Sequence, residues 1–448
     1  MEGDTTMKKF VSLLIVLALA LSMGLTAFAE DAPVEITFWH AMGGVNGEAI
    51  TAMIEDFNAQ YEGKIHVNYE YQGSYDDAFA KIQAAGINSI PCDLMQVYDI
   101  GTRYMIDSGW VKPMQEFIDA EGFDASVIEP NIAAYYTVDG TLYSMPFNSS
   151  TPILYYNKTA FEAAGLDPEQ PPKNFDEIYE MATKIAESGA AQYGFGMGNY
   201  GWFFEQWTGK MGKNYVNNNN GRGEAYATAV EFDSNGAGHD ILSVWKKFVG
   251  DPETAVAPYL NQGNDDAKQA FINGDIAITL ESTAALKTLL TNVGDSFEIG
   301  VGYFPNINAD DVGGVSVGGG SLWAFKTGDE AREAATWEFV KFMVSAEEQA
   351  FWNAQTGYFP VNVEAHETET FKANVEQYPQ FQVAIDQLHD SAPEYAGGLL
   401  SVFSTARASV QEYTEKLVHG EIEDVDDCVS QLAAAINDQI EMYNLANY

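Results

Sequence analysis

The first hundred residues alternate between two hydrophobic periods, and this alternation limits the possible folds more than any other feature. Residues 34–39 and 65–69 alternate apolar and polar side chains as half-buried strands do, and residues 93–97 form a mostly apolar third strand. Residues 50–61 and 78–85 repeat apolar side chains at three- and four-residue spacing, which predicts amphipathic helices. Strands separated by helices pair in parallel through βαβ crossovers. The chain is therefore predicted to have an α/β fold.

The remainder of the chain continues as strands and helices. Strands are predicted at residues 153–156, 276–280 and 322–325, and helices near residues 175–188 and 241–249. The sequence has no internal repeat and no Pro- or Ser-rich linker. Any domains must therefore be connected by short crossings rather than by a long tether.

The chain is longer than a single hydrophobic core usually supports, so two domains are predicted. Because no linker separates them, the chain must cross between them several times, as in a hinged two-lobed clamp that closes on a ligand. The strands near Pro152 and Ala277 are the predicted crossings. We assign residues 30–150 and 283–350 to lobe I, and residues 151–282 and 351–448 to lobe II.

The amino terminus has the pattern of a secretory signal peptide over residues 1–29. Two lysines precede an apolar run over residues 10–25, and the small-residue sequence Ala-Phe-Ala ends just before Glu30. The run is shorter than the ~20 apolar residues that a membrane-spanning helix needs. Met7 is the predicted initiator. The cleavage site contains no cysteine, so a lipid anchor is not predicted. The mature protein is expected to be exported, to the periplasm or the exterior of the cell envelope.

The formal net charge of −43 excludes several partners. It repels nucleic acid and anionic membranes, so neither is expected to bind. It also repels a small anion, so an anion site must be built locally from an arginine, hydroxyls and backbone N–H groups. The histidines show no metal-binding spacing, and no phosphate-loop or dinucleotide motif is present, so we expect no metal and no cofactor. His40, after the first strand, is interpreted as structural rather than as a ligand contact.

Cys92 and Cys428 are far apart in the sequence. In an exported protein two cysteines could form a disulfide. Cys92 directly precedes a predicted buried strand, however, and Cys428 lies in a predicted carboxyl-terminal helix. A disulfide between separate lobes would hinder their closure. We therefore predict two buried thiols.

Two sequence patterns are compatible with an enzyme. Residues 314–318 fit the G-x-S-x-G motif of a nucleophilic serine, but that motif requires a helix after the serine, and here a strand is predicted. Acidic doublets at 76–77, 265–266 and 310–311 could serve a glycosidase. Adjacent residues rarely face each other across a bond, and doublets arise by chance in an acidic chain. An exported glycan-acting enzyme is therefore only an alternative to a binding protein.

Two neighbouring segments have a more specific pattern. Residues 146–158 have the sequence PFNSSTPILYYNK, a polar turn that leads into an apolar strand, and residues 165–173 have the sequence GLDPEQPPK. Both segments resemble family 1 extracellular solute-binding proteins of bacterial ABC importers, in particular the members that bind sn-glycerol 3-phosphate. Weaker similarity to the same family occurs at residues 38–42, 94–102, 271–278, 318–323 and 356–361.

The resemblance implies a two-lobed, periplasmic-binding-protein-like α/β fold. It also implies a monomeric receptor, not an enzyme, that captures a small molecule between its lobes and delivers it to the transmembrane subunits of an ABC permease. The implied ligand is sn-glycerol 3-phosphate or a glycerophosphodiester. A neutral carbohydrate or oligosaccharide is the alternative, because sugar-binding relatives share the weaker motifs.

Eight residues match positions that contact ligand in the family. Tyr75 and Asp99 match positions that hold polyol hydroxyls, although the relatives have glutamate in place of Asp99. Arg407 matches the arginine that pairs with phosphate, and a guanidinium fork suits a tetrahedral oxyanion. Two hydroxyl donors, a backbone N–H, a phenol donor and an indole that lines the cleft correspond to Ser150, Ser282, Gly319, Tyr358 and Trp202.

Several of these positions also allow a purely structural interpretation. Tyr75 could cap the start of a helix, Asp99 could be a helix N-cap, and Arg407 could lie on a helix surface. The relatives also have a second tryptophan where this chain has Asn199 followed by Tyr200. Either Tyr200 replaces that stacking surface, or the pocket is wider and more polar.

Overall fold

The computed structural model describes residues 32–448 apart from 87–89, 224 and 261–264. The predicted signal peptide lies outside the described residues. The strands, in chain order, are β1 (Val34–His40), β2 (Ile65–Tyr71), β3 (Leu94–Tyr98), β4 (Val111–Lys112), β5 (Thr137–Val138), β6 (Thr141–Leu142), β7 (Met145–Ser150), β8 (Pro152–Asn157), β9 (Ile278–Ser282), β10 (Ile299–Gly302) and β11 (Gly318–Phe325).

The larger sheet contains six of these strands. Its order is β2-β1-β3-β11-β4, and β7 also pairs with β11. β1 runs parallel to β2 and β3, with Val34 opposite Ile65 and Phe38 opposite Leu94. β11 is antiparallel to β3, β4 and β7. The predicted parallel crossovers of the first three strands are therefore confirmed, and a strand from much later in the chain completes the sheet.

The smaller sheet has three strands in the order β10-β8-β9, and both pairs are antiparallel. β7 ends at Ser150 in the larger sheet and β8 begins at Pro152 in the smaller one. Thr151 is therefore the only residue between the two sheets at this crossing. Its backbone N–H donates to Thr283 Oγ1 at 3.3 Å, and the Thr283 N–H donates to the Thr151 carbonyl at 2.9 Å.

Helices surround both sheets. They are α1 (Gly44–Gln60), α2 (Tyr75–Ala85), α3 (Thr102–Ser108), α4 (Met114–Glu121), α5 (Pro130–Tyr136), α6 (Lys158–Ala163), α7 (Phe175–Ser188), α8 (Gly201–Lys210), α9 (Ala237–Trp245), α10 (Asp265–Asn273), α11 (Leu286–Val293), α12 (Glu330–Met343), α13 (Ala346–Thr356), α14 (Glu369–Gln377), α15 (Gln380–Asp390), α16 (Phe403–Val418) and α17 (Val425–Asn447). None of the described helices combines the length and apolar character needed to cross a membrane.

Local signals explain why α7 coincides with its predicted range. Asn174 lies at the N-cap, and its side chain accepts a hydrogen bond from the backbone N–H of Glu177 at 3.0 Å. Gly189 ends the helix in a left-handed conformation with φ of 74°. Ile178, Ala182 and other apolar residues at helical spacing are buried against the core. A cap at each end and one apolar face are sufficient to fix this helix.

The strand pairing differs from the predicted lobe boundaries at two places. β10 was assigned to lobe I, but it pairs with β8 of the smaller sheet. Trp352 was assigned to lobe II, but its ring stacks on Phe147 of the larger sheet, with centroids 5.1 Å apart. Both differences arise from contacts between segments that are far apart in sequence. The remaining boundaries stay a prediction.

The two cysteines are free and buried, as predicted. Cys92 precedes the strand β3 of the larger sheet, and Cys428 lies in α17. The Cys428 thiol donates a hydrogen bond to the carbonyl of Tyr413 at 3.4 Å. Both thiols are therefore buried in the hydrophobic core.

His40 is a buried residue at the end of β1. Only 3% of its surface is exposed, and its Nδ1 accepts a hydrogen bond from the Met42 N–H at 3.4 Å. Burial lowers the pKa of His40 from 6.5 to about 4, because the charged imidazolium is poorly solvated there. The folded protein therefore holds this ring neutral at a pH at which the unfolded chain protonates it.

We predict that His40 makes the protein acid-sensitive. A lowered pKa stabilises the folded state above pH 6.5, and this contribution is lost as the pH falls toward 4. Over that window the wild type should lose up to about 3 kcal/mol more unfolding free energy than His40→Asn. Urea unfolding at a series of pH values measures the difference. His66→Asn, which replaces an exposed histidine without a side-chain hydrogen bond or ion pair to a described residue, is the matched control and should follow the wild type. Parallel curves for wild type and His40→Asn would contradict the prediction.

Candidate functional site

A cavity of about 420 Å³ lies between the two sheets. Side chains from the larger sheet and its helices line one wall, and side chains from the smaller sheet and its helices line the other. All eight residues predicted as ligand contacts are among the lining residues: Tyr75, Asp99, Ser150, Trp202, Ser282, Gly319, Tyr358 and Arg407. The structure therefore brings together residues that span more than three hundred positions of sequence. Their roles toward a ligand stay a prediction.

Asp99 lies at the carboxyl end of β3, where ligands bind in sheets of this type. β3 is buried along its whole length, and the chain turns directly after it into the short 3-10 helix Asp99–Gly101. Gly101 makes this turn possible, because a Cβ there would lie 2.5 Å from Cγ1 of Val97. The turn aims the buried carboxylate of Asp99 into the cavity.

Arg407, on α16, contacts two carboxylates. Its Nη2 donates to Asp99 Oδ2 at 2.7 Å and to Glu205 Oε2 at 3.1 Å, and its Nε donates to Glu205 Oε1. All three side chains are about one-tenth exposed or less. Arg407 and Asp99 were predicted to bind opposite ends of a ligand, but they are in direct contact. They belong to one polar cluster because α16 packs against the turn after β3.

This cluster carries one positive and two negative formal charges. Burial raises the pKa of both the Asp99 and the Glu205 carboxyls, and the guanidinium of Arg407 opposes the rise. Burial alone would lower the pKa of Arg407, but the two carboxylates raise it well above its usual range. Arg407 therefore stays charged, and any change of protonation in the cluster falls on the carboxyls.

A chain of hydrogen bonds fixes Tyr75. Its hydroxyl accepts from Nδ2 of Asn148 at 2.6 Å, and Oδ1 of Asn148 accepts from Nε2 of Gln96 at 2.7 Å. Oε1 of Gln96 accepts in turn from the N–H of Ala41 at 2.8 Å. The ring of Tyr75 stacks on Tyr98 with centroids 5.5 Å apart. Tyr75 is thus a rigid aromatic surface whose orientation is set by two strands.

The glycines at the start of β11 let its backbone form a wall of the cavity. Gly319 has φ of +86°, and a Cβ there would lie 2.0 Å from the carbonyl oxygen of Asn148. A Cβ on Gly318 would lie 2.4 Å from the indole of Trp202. Neither position can carry a side chain without movement of its neighbours. The backbone of Gly319 therefore lines the cavity directly.

The departure at Asn199 and Tyr200 has a clear structural outcome. Tyr200 lines the cavity, with its ring centroid 5.8 Å from that of Trp202. Asn199 is not among the lining residues, and its Nδ2 donates instead to the carbonyl of Gln411 at 2.8 Å. Nε1 of Trp202 is buried and makes no hydrogen bond to a described residue. Tyr200 therefore supplies an aromatic surface beside Trp202.

The remaining predicted contacts are hydroxyls. Ser150 ends β7 and lies opposite Gly318 of β11. Ser282 ends β9, and its Oγ accepts from the N–H of Ala284 at 3.1 Å. Tyr358 lies beside Tyr75 and is buried against the larger sheet. Together they place three hydroxyl groups around one cavity. His40, interpreted as structural, is not among the lining residues.

Sequence reasoning missed several charged residues of the site. Lys268 lines the cavity from α10, with its ammonium 2.7 Å from Asp265, and Glu281 also lines it. Burial alone would lower the pKa of Lys268, but Glu281 and Asp265 raise it. Glu205 lies behind Arg407 and was not singled out at all. Nothing in the local sequence distinguishes these residues from the other charges of an acidic chain.

Two sheets with a polar cavity between them define a two-lobed binding protein. Comparison with known proteins gives its family. Residues 52–381 match the bacterial extracellular solute-binding protein family. The chain belongs to this family, which binds small solutes and works with ABC permeases. The family resemblance and the exported location predicted from the sequence are both confirmed.

The sequence is similar to curated periplasmic proteins over most of its length. The sn-glycerol-3-phosphate-binding periplasmic protein UgpB of Yersinia pseudotuberculosis serotype I (strain IP32953) is 33% identical over 424 residues, which are 91% of this chain and 92% of that protein. The protein of the same name from Pectobacterium atrosepticum is 32% identical over 386 residues, which are 84% of each chain.

Solved structures confirm the two-lobed α/β fold. UgpB from Mycobacterium tuberculosis in complex with glycerophosphocholine has a TM-score of 0.76, 21% identity, and coverage of 93% of this chain and 100% of that chain. The GacH receptor of Streptomyces glaucescens, solved unliganded and with acarbose, has a TM-score of 0.73, 21% identity, and coverage of 92% and 99%. At these identities the likeness concerns the fold.

We predict that Gly319→Ala lowers the free energy of unfolding by more than the cost of a left-handed alanine alone. A left-handed alanine costs about 1 to 2 kcal/mol, and the contact with the Asn148 carbonyl adds about 1 to 3 kcal/mol. Gly420→Ala is the matched control, because Gly420 has φ of +74° but open space around its Cβ. Urea unfolding of both variants measures the difference. Equal losses at the two positions would show that the backbone of Gly319 is not held against Asn148.

Proposed function

We propose that the protein is the substrate-binding component of an ABC importer for sn-glycerol 3-phosphate or a glycerophosphodiester. It captures this ligand in the cavity between its lobes and delivers it to a membrane permease. The observation that carries the proposal is the convergence of all eight predicted contacts on one cavity. The two curated relatives described above, named for sn-glycerol 3-phosphate, support the choice of ligand.

The chemistry of the lining residues supports a ligand with both hydroxyls and a phosphate. Asp99 accepts hydrogen bonds from glycerol hydroxyls, and the ring of Tyr75 backs the carbon skeleton. Arg407 uses Nε and Nη2 for its carboxylates, and its Nη1 makes no hydrogen bond to a described residue. Nη1 is therefore a donor for phosphate. Further donors are the hydroxyls of Ser150, Ser282 and Tyr358 and the backbone N–H of Gly319.

The contact between Asp99 and Arg407 determines where the hydroxyl and phosphate groups of the ligand bind. A carboxylate that accepts from hydroxyls and a guanidinium that donates to phosphate lie side by side, at 2.7 Å. A bound glycerol phosphate therefore places a hydroxyl and its phosphate next to each other at this cluster, rather than at opposite ends of the cavity. The remaining volume, toward Lys268 and Glu281, accommodates the headgroup of a diester.

Capture is a closure of the two lobes around the ligand. Ser150 and Tyr75 belong to the side of the larger sheet, whereas Ser282 belongs to the smaller sheet. A ligand that bonds to both sides stabilises the closed form over the open form. The permease then receives the closed, loaded form. In this proposal the receptor acts as a monomer.

A receptor for a neutral carbohydrate is the second candidate. Stacked aromatic rings at Tyr75 and Tyr98, and the further rings of Tyr200 and Trp202, suit the faces of a sugar. The negative charge of the cluster around Arg407 also suits hydroxyl donors. The acarbose-binding GacH receptor shares the fold.

The protein has no catalytic role in this proposal. Oγ of Ser316, in the G-x-S-x-G segment, accepts a hydrogen bond from Nε2 of Gln206 at 2.9 Å, and the strand β11 rather than a helix follows it. Asp99 is engaged with Arg407 and is not positioned as a free acid or base. Incubation with oligosaccharides should yield no product, and turnover would support the alternative of a glycan-acting enzyme.

We predict that phosphate binding depends on the guanidinium of Arg407. Calorimetric titration of the wild type with sn-glycerol 3-phosphate, glycerophosphocholine and maltose should give micromolar or tighter binding for a phosphate ligand and none for maltose. Arg407→Ala should abolish binding. Arg407→Lys keeps the charge but not the planar fork, and it should weaken binding at least about tenfold.

Lys416→Ala is the matched control, because it removes a partly exposed cation from the same helix. It should bind like the wild type. Circular dichroism should show that Arg407→Lys is folded, since Arg407→Ala leaves two buried carboxylates without their partner. Heat from maltose alone would favour the carbohydrate receptor. Unchanged phosphate affinity in Arg407→Lys would refute the assigned role of Arg407.

A further inference from the structure

Glu205 does not line the cavity, but it contacts Arg407, which does. It extends from α8, and its two oxygens accept from Nε and Nη2 of Arg407. This bidentate contact holds one edge of the planar guanidinium. Because the guanidinium is rigid, fixing that edge also fixes the direction of Nη1. Glu205 is therefore placed to orient Arg407 without touching a ligand.

The charge of the cluster sets a constraint on anion binding. Arg407 supplies one positive charge, and Asp99 and Glu205 supply two negative charges, all of them buried. The cluster already has a net charge of −1. A phosphate bound beside Arg407 would make this net charge more negative, in a site shielded from water. Uncompensated buried charge is costly, and buried groups commonly change protonation instead.

We infer that Glu205 is the positioning residue of this anion site and takes up one proton when a phosphate ligand binds beside Arg407. The inference rests on the proposed function. The proton comes from solvent, and it leaves one positive charge of Arg407 against Asp99 and the bound phosphate. Protonated Glu205 still accepts a hydrogen bond through its carbonyl oxygen.

Two observations assign the proton to Glu205 rather than to Asp99. The backbone N–H groups of Asp99 and Ile100 oppose the rise in the pKa of Asp99 and so favour its ionised form. Glu205 has no such donors among the described residues besides Arg407.

The other groups around Glu205 do not exchange protons near neutral pH. The groups that interact with it are Arg407, Asp99 and the phenols of Tyr135, Tyr200 and Tyr215. Burial raises the pKa of all three phenols, so they stay neutral. Burial also raises the pKa of Glu205, which Arg407 only partly opposes. Among the groups around Glu205, proton exchange near neutral pH is therefore confined to the two carboxyls.

The test is calorimetry with glycerophosphocholine, whose phosphodiester does not titrate near neutral pH. Titrations in buffers of different ionisation enthalpy report the number of protons taken up. Wild type should take up close to one proton at about pH 8, and its affinity should fall by up to about tenfold per pH unit above neutral. Glu205→Gln keeps the shape and one acceptor but not the charge. It should bind at least as tightly as wild type, without proton uptake and with a flat pH profile.

Glu205→Ala removes the support of the guanidinium and should weaken binding at least about tenfold. A merely structural role would weaken the Gln and Ala variants alike and leave the proton count unchanged. Glu412→Gln removes an exposed carboxylate from α16 and should keep the wild-type proton uptake and pH profile. The phosphate of sn-glycerol 3-phosphate itself titrates near neutral pH. For this ligand, the proton uptake of Glu205→Gln is therefore subtracted from that of wild type, which removes the contribution of the ligand.

The outcomes separate this inference from the proposed function. If neither phosphate ligand binds to wild type, the proposed function fails and the inference fails with it. If a phosphate ligand binds without proton uptake, or if Glu205→Gln takes up the same proton as wild type, only the inference is overturned. Loss of proton uptake in Glu205→Gln, together with retained binding, supports it.

Discussion

One buried guanidinium connects the two halves of this protein. Arg407 comes from a helix near the carboxyl terminus, whereas Asp99 ends a strand of the larger sheet. The ion pair between them can be satisfied only when these elements lie together, and an unpaired charge at that depth would be strongly destabilising. The pairing lies where α16 packs against the turn after β3, and both of its side chains line the cavity. Glu205 completes it from α8.

The elements that the sequence predicted well are those whose signals are local. The helix 175–188 has its caps and its apolar face within the segment itself. The first two strands could be predicted from their alternation and the third from its apolar run, and their parallel pairing follows from the helices between them. β11 could not be placed in the larger sheet by such reasoning, because its partner β3 lies more than two hundred residues earlier.

The site shows the same division between local and distant information. The eight contacts were found by resemblance to a family, position by position, and all of them line the cavity. Glu205 was missed because its importance depends on a residue 202 positions away. Lys268 was missed because its ammonium looks like any surface charge next to Asp265. The contact of Asp99 with Arg407 was also not foreseen, since a list of ligand contacts does not say which of them touch each other.

The crossing at Thr151 has a mechanical consequence. One residue spans at most about 3.6 Å, so the ends of β7 and β8 cannot move apart by more than a fraction of that distance. Hydrogen bonds to Thr283 and Gln387 hold the same residue. The two sheets therefore cannot separate by translation at this point. Opening of the cavity must be a rotation with its axis close to Thr151, and displacement must grow with distance from it. Residues near the axis keep their geometry throughout, whereas those at the far rim travel furthest.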